Sequence, residues 1–250
     1  MNLNSINSII KVAHRGVPSL IPENTIASYK YALTLNIDML EIDIHRTKDG
    51  KLVVMHDPTT ERTTLEQGTI KDLTYDELLK YDIGKWKGEK FIGERIPLLQ
   101  EVLQLIKPTN IKLLIEVKHP DKYPGIEEEL LNEIIETGLD INRIIIQSFD
   151  RNSVKKVREL NKNIKLGVLI SKRHRLIRND TIQKISEYAQ YLNPNYKLLT
   201  KGFVKSIHAH GLKILPYTVN DYHNFVRMIE IGVDGVITDY PQSLSEWLNE

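Results

Sequence analysis

Short runs of β-branched and other apolar residues recur along the chain. Each is followed by a stretch in which apolar positions return every three or four residues. The runs are Ile9–His14, Met39–Ile44, Leu113–Val117, Ile144–Phe149, Leu166–Ile170, Tyr191–Tyr196, Ile214–Val219 and Gly235–Thr238, which predicts eight strands. The stretches between them carry helix signals. Thr74 and Glu77 have capping-box spacing ahead of Leu78 and Leu79. After Pro124, Ile126, Leu130 and Ile134 share one helical face, and Gly138 marks its end. Asp150 or Asn152 caps a stretch containing Val154 and Val157, while Ile182, Ile185 and Ala189 line another. Asn220 or Asp221 opens a helix with Tyr222, Phe225, Val226 and Ile229, which Gly232 closes.

Strands alternating with helices predict a parallel sheet with right-handed crossovers. Eight such units in 250 residues fit an α/β protein built as a single (β/α)8 TIM barrel better than a doubly wound sheet. The whole chain, 1–250, is therefore expected to form one domain. One segment, about Pro58 to Leu98, breaks the rhythm with Thr, Gly, Asp and Lys and little strand character. It is expected to be a small insertion after the second strand, forming a cap over the barrel mouth.

Composition narrows the function. Lys and Arg total 34 against 33 Asp and Glu, a formal net charge of +1, which gives no basic excess for nucleic acid or an anionic membrane. The absence of cysteine excludes disulfides, thiolate nucleophiles and zinc–thiolate clusters, so any metal must be held by carboxylates, carbonyls or imidazoles. Met1–Ser8 lacks the basic start and apolar run of a secretory signal. No apolar stretch approaches the roughly 20 residues of a membrane span. A cytoplasmic protein without a stable membrane anchor is the expectation.

Barrel enzymes carry their chemistry at the C-terminal ends of strands, and polar residues gather there in this chain. The first run ends in His14-Arg15-Gly16. Glu41 and Asp43 share one face of the second, with Leu40, Ile42 and Ile44 opposite. Glu116 and Lys118 share one face of the third, with Ile115 and Val117 opposite. Three carboxylates converging inside a barrel repel one another. Either a hard divalent cation with oxygen ligands sits among them, or Arg15 and Lys118 neutralise them in a buried ion network. Thr47-Lys48-Asp49-Gly50-Lys51 reads as a hairpin turn leading into Leu52–Pro58, which returns His56 toward the carboxylates and His14. Two imidazoles together suit general acid and general base roles in one reaction.

His14-Arg15-Gly16, Pro22-Glu23-Asn24-Thr25, Glu41-x-Asp43, Thr47-Lys48-Asp49-Gly50, Val54-x-His56-Asp57 and Glu116-x-Lys118 together resemble the successive motifs of the glycerophosphodiester phosphodiesterase family. The resemblance continues, in order, through Pro216-Tyr217-Thr218-Val219-Asn220 and Gly232–Pro241. It implies a (β/α)8 barrel with an inserted subdomain, and metal-dependent hydrolysis of small glycerophosphodiesters to glycerol 3-phosphate and an alcohol. It further implies that Glu41, Asp43 and Glu116 bind one divalent cation, Mg2+ or Ca2+. His14 and His56 would form the acid/base pair, Arg15 would bind phosphate, and Lys118 would contact phosphate or glycerol. Tyr217 stands where the family often has Trp, and is either a wall for the glycerol moiety or a core residue. Glu23 either pairs with Arg15 or merely starts a helix.

His45 shares parity with Glu41 and Asp43 and either approaches the site or sits at the strand exit. His119, His174, His208, His210 and His223 fall in turns or helices and read as solvated. The basic stretch Lys172-Arg173-His174-Arg175, with Arg178, reads as a solvated loop on the catalytic face or an attractor of anionic substrate. An alternative within the same fold is a phospholipase-type phosphodiesterase acting on lysophospholipids, with Tyr75, Tyr81, Trp86 and Phe91 of the insertion supplying an apolar rim. A barrel that only binds ligand would lack one or more of the two histidines and three acids, and this chain has them all.

Overall fold

Parallel strands form the centre of the molecule, with helices packed outside them; the computed structural model describes residues 9–173 and 177–248. Met1–Ser8, and His174 and Arg175 of the basic stretch, lie outside the described residues. In chain order the strands are β1 (Ile10–His14), β2 (Met39–Arg46), β3 (Leu52–Val54), β4 (Lys112–Val117), β5 (Ile144–Ser148), β6 (Lys165–Ile170), β7 (Tyr191–Pro194) and β8 (Gly235–Thr238). The curled sheet runs β7-β6-β5-β4-β2-β1-β8, and β3 pairs antiparallel with the end of β2.

The run Ile214–Val219 departs from expectation. It occupies the remaining place between β7 and β8, but as isolated bridges Tyr191–Lys213 and Asn195–Tyr217 rather than a regular strand. Tyr217 N donates to Pro194 O on one side, and Val219 N donates to Ile237 O on the other. Pro216 has no N–H to give, although its carbonyl accepts from Ile237 N at 3.0 Å. The barrel closes there through a broken ladder.

Alternation along the strands divides the core in two. Leu40, Ile42, Ile44, Ile115 and Val117 face the helices in the large outer core, while Val12, Met39, Leu114, Ile145, Tyr191, Leu215 and Ile237 fill the barrel. The helices begin and end as their sequences require. In α1 (Ile26–Ala32) Thr25 is the N-cap, so Glu23 precedes the helix and does not start it. The insertion holds the short α2 (Tyr75–Leu78), whose Thr74–Glu77 capping box forms, and α3 (Leu99–Ile106) follows it. Gly138, at φ 64°, ends α4 (Ile126–Thr137) in the left-handed conformation glycine accepts without strain. Asp150 caps α5 (Arg151–Leu160). After α6 (Asn179–Ser186) and α7 (Lys201–Ala209), Asp221 caps α8 (Tyr222–Ile231), and α9 (Leu244–Leu248) closes the described chain.

The Asp49-Gly50 turn forms the expected hairpin, with Arg46 opposite Leu52 and Ile44 opposite Val54. Residues 58–98 build a small apolar core of their own: Ile70, Leu78, Ile83 and Ile96 pack on Val53 and Met55 of the hairpin. Lys87 Nζ donates to Pro18 O at 2.6 Å, joining this segment to the loop after β1.

Candidate active site

β1 delivers His14 to the end of the barrel, and the ladder continues one residue further through Arg15 N donating to Glu41 O at 2.9 Å. The backbone then turns sharply. Arg15 has φ 54°, a conformation that costs a non-glycine residue free energy and is held only where the surroundings fix it. Gly16 follows at φ 90°, and a Cβ there would lie 2.2 Å from Ser28 Oγ. The turn is closed by Val17 N donating to that same Ser28 Oγ at 2.7 Å. His-Arg-Gly is thus a local requirement of the site: the glycine lets α1 approach, and the turn brings Arg15 Nε to 3.0 Å from Asp43 Oδ2.

Glu41, Asp43 and Glu116 converge as their parity demands. They are 1%, 0% and 7% exposed, and each offers an oxygen within 4.8 Å of the others. Burial, then the Asp43 charge, drives the Glu41 carboxyl well above the usual carboxylate range. Burial pushes Asp43 the same way, but Arg15 and Lys118 override it and hold Asp43 well below that range. Both arrangements left open by the sequence have features here. Lys118 Nζ lies 2.7 Å from Glu116 Oε1 and 3.5 Å from Asp43 Oδ1, and Arg15 Nη1 lies 3.0 Å from Glu23 Oε1. Yet the ion network does not satisfy the cluster. Asp43 Oδ1 is buried and accepts no hydrogen bond among the described residues, while Oδ2 is engaged by Asn24 Nδ2 at 3.0 Å. A buried carboxylate oxygen reached by an ammonium at 3.5 Å but by no hydrogen bond remains costly. The three carboxylates, each offering a hard oxygen within 4.8 Å of the others, fit a divalent cation such as Mg2+ or Ca2+.

The two histidines are held in the same way. His14 Nδ1 is 2.5 Å from Asp239 Oδ1, and His56 Nδ1 is 2.7 Å from Asp57 Oδ1. A carboxylate accepting from Nδ1–H sets the tautomer and leaves Nε2 as the nitrogen that exchanges protons. His14 Nε2 lies 3.9 Å from Glu41 Oε2, at the edge of the acidic cluster. Asp239 is itself fixed by Asn220 Nδ2 at 2.6 Å. His56 hangs from the β3 hairpin, and its carbonyl is pinned by His45 Nε2 at 3.1 Å. A cavity of about 160 Å³ is lined by His14, Arg15, Glu41, His56, Glu116, Lys118 and Tyr217, with Asp43 buried beside them.

The glycerophosphoryl diester phosphodiesterase family matches this chain over residues 14–243. The chain belongs to that family. A glycerophosphodiester phosphodiesterase of Caldanaerobacter subterraneus subsp. tengcongensis is 41% identical, over 93% of this chain and 95% of its own. One from Bacillus subtilis is 37% identical, over 96% of this chain and 86% of its own. Among solved structures, an Oleispira antarctica phosphodiesterase in complex with the product sn-glycerol-3-phosphate superposes with a TM-score of 0.85. It is 28% identical, with 98% of this chain and 99% of that one covered.

Several residues of this glycerophosphodiester phosphodiesterase site were not singled out by sequence reasoning. Asp239 has the parity of Ile237 on β8 and stands in a motif already noted, so its inward position was readable; its partner was not. Asp57 adjoins His56, but adjacency in sequence does not announce a hydrogen bond. Glu23 pairs with Arg15 rather than starting α1. His45 is fully buried, with Nδ1 2.9 Å from Tyr123 Oη, and burial pushes its pKa down to about 4, so it is a neutral bracket for the hairpin. Tyr217 lines the cavity, donates to Ile170 O at 3.0 Å and meets Phe149 edge-on. His119, at φ 45°, and His223 are exposed, as is His208, which also pairs with Asp234 at 2.8 Å.

Proposed function

We infer that this phosphodiesterase hydrolyses glycerophosphodiesters to glycerol 3-phosphate and an alcohol, with His14 and His56 as its acid/base pair and Glu41, Asp43 and Glu116 holding one divalent cation. The observation that carries the reading is the matched pair of imidazoles, each bound through Nδ1 to its own carboxylate, flanking one small cavity beside a carboxylate cluster. A cation in that cluster supplies charge neutralisation for the anionic diester and lowers the barrier to attack at phosphorus.

The protein's own groups do the rest. Arg15 binds the phosphate oxygens with a guanidinium whose charge is secure, since the carboxylates around it outweigh the effect of burial. Lys118 contacts phosphate or the glycerol hydroxyls, and Tyr217 with Phe149 walls the glycerol carbon chain. One imidazole takes the proton from the attacking oxygen, which belongs either to the glycerol 2-hydroxyl or to water. The other gives a proton to the leaving alcohol oxygen as its bond to phosphorus breaks. Where the 2-hydroxyl attacks, a water opens the cyclic phosphate with the two imidazoles exchanging roles. The segment 58–98 is proposed as a cap bordering the mouth on the side of His56 and the loop after β1.

The test is a coupled glycerol 3-phosphate assay on glycerophosphocholine and glycerophosphoethanolamine, with choline release from lysophosphatidylcholine followed in parallel. EDTA is expected to abolish turnover, and Mg2+ or Ca2+ to restore it. Full activity in chelator with no metal in the protein would sink the cation assignment, and preference for the lysophospholipid would shift the substrate class to lipids.

A further inference from the structure

Arg62, in the insertion, lies between two carboxylates that serve different halves of the site. Its Nε donates to Asp57 Oδ2 at 2.5 Å, while Nη1 and Nη2 donate to Glu23 Oε2 and Oε1 at 2.8 and 2.7 Å. The other oxygen of Asp57 holds His56 Nδ1, and Glu23 Oε1 also receives Arg15 Nη1. A single guanidinium therefore stands one residue away from both the acid/base imidazole and the phosphate-binding arginine.

Resting on the roles assigned above to His56 and Arg15, we propose that Arg62 is a positioning residue that aligns the imidazole of His56 and the guanidinium of Arg15 through Asp57 and Glu23. Its side chain is 45% exposed, and an isolated exposed ion pair is worth only about 0–1 kcal/mol. The geometry here differs from such a pair in three ways. Glu23 is 10% exposed and divides its oxygens between two arginines, so its orientation, and with it that of Arg15, depends on both. Arg62 uses its whole planar fork, three N–H groups on two carboxylates, which a lysine does not reproduce. The loop that carries it is built in advance. Thr60, Thr63 and Thr64 are buried, Thr60 N donates to Gly68 O at 3.0 Å, and Thr64 Oγ1 donates to Glu66 O at 2.7 Å with Thr60 O also 3.0 Å away. Thr59 and Thr69 bridge at its base. The insertion thus reaches the chemistry through one fixed side chain.

The experiment is a substitution cycle in the metal-loaded enzyme on glycerophosphocholine. Arg62→Ala is expected to lower kcat/KM about 10- to 100-fold, the scale of a sub-ångström to 1 Å misplacement of reacting groups. Asp57→Asn should act mainly on kcat and Glu23→Gln mainly on KM, with Arg62→Ala moving both. In the Asp57→Asn/Glu23→Gln background, adding Arg62→Ala should change kcat/KM by less than about twofold, because the path is already cut. Arg62→Lys should stay within about threefold of Arg62→Ala, and methylguanidinium should restore part of the lost kcat in Arg62→Ala. Arg95→Ala, which removes an exposed arginine of the same insertion 3.8 Å from Asp82, is the control expected to leave activity unchanged. Should Arg62→Ala fold poorly, Arg62→Gln takes its place in the cycle. Full additivity in the double background, near wild-type kinetics in Arg62→Lys, or an equal loss in Arg95→Ala would each overturn the proposal. If His56→Ala itself keeps wild-type activity, the role assignment fails; if His56→Ala is inactive and Arg62→Ala is additive, only the role of Arg62 fails.

Discussion

The barrel interior has two layers built on the same strands and the same face of the pleat. At the base lie Val12, Met39, Leu114, Ile145, Tyr191, Leu215 and Ile237. Two residues further along each strand stand His14, Glu41, Glu116, Gln147, Asn193, Tyr217 and Asp239. One step of the pleat repeat, about 7 Å, thus takes the interior from apolar packing to polar and charged groups. Part of the upper layer is neutral: Asn193 Nδ2 donates to Gln147 Oε1 at 2.9 Å, and Asn193 Oδ1 accepts from Leu215 N at 3.0 Å. The lower layer stabilises the fold by removing apolar surface from water. The upper layer gathers like charges that oppose folding, the cost expected if they are kept for the proposed chemistry. The same backbone carries a stabilising and a costly layer, and the division of labour between them can be tested.

The largest expected effect falls on activity in the upper layer. His14→Ala and His56→Ala should each reduce kcat about 10²- to 10⁴-fold, with the double variant little worse than the poorer single one. An activated nitrophenyl leaving group needs no protonation, so it should rescue only the variant that lacks the acid and thereby assign the two roles. Near-normal turnover of glycerophosphocholine by both folded, metal-loaded variants would end the two-histidine mechanism. The lower layer should behave in the opposite sense. Leu114→Ala, at a fully buried position, should lower stability by about 2–5 kcal/mol in denaturant unfolding, while activity per folded molecule changes little.

A third substitution sharpens the contrast by converting one layer toward the other. Glu41 is buried against two like charges, and burial with Asp43 already disfavours its ionised form. Glu41→Gln keeps the shape and removes the charge. The metal-free variant should be about 1–2 kcal/mol more stable than the metal-free wild type, and should gain little further stability from added Mg2+ or Ca2+. A destabilised metal-free variant would show that the carboxylate is held by its cationic neighbours more strongly than it is opposed by its acidic ones.

Much of this division was legible in the sequence because strand alternation is a rigid rule. The parity of Glu41 with Asp43 and of Glu116 with Lys118 was enough to turn them inward, and the Asp49-Gly50 turn was enough to return His56. The barrel followed from eight strand–helix units, although Ile214–Val219 is a broken ladder, since one proline removes a donor without altering the apolar pattern. Partners across the chain were less readable. Asp239 lies 225 residues from His14, and Arg62 sits in a threonine-rich loop without periodicity, so only the folded backbone brings them to their hydrogen bonds. His45 shows the limit of parity: it faces inward with the acids, yet the hairpin and Tyr123 cover it.

The smallest effect expected is an uneven response to acid. Asp57, Glu23 and Asp239 have carboxyls held below their ordinary values. For Asp57 the hydrogen bond with His56 is the main cause, joined by Arg62. For Glu23, burial opposes ionisation but Arg62 and Arg15 overcome it, and for Asp239 His14 and Asn220 do the same. A carboxyl depressed in the folded state contributes stability that is complete above its unfolded pKa, about 3.9 for Asp and 4.3 for Glu, and that is lost as pH falls through the lower folded value. The window therefore opens below about pH 4, where the unfolded chain takes up protons before the native site does. These three groups tie together the loop after β1, the hairpin end and the end of β8, all at the mouth; among the described residues the apolar layer at the base holds no carboxylate. Amides of residues 15–24 and 57–64 should lose hydrogen-exchange protection between pH 4 and 3 while those of β4 and β5 keep theirs. Asp57→Asn should flatten that response around Arg62, by less than about 1 kcal/mol given how exposed the arginine is. Simultaneous loss of protection in both layers would mean that the mouth and the base open as one unit, and that the charged layer has no stability of its own to lose.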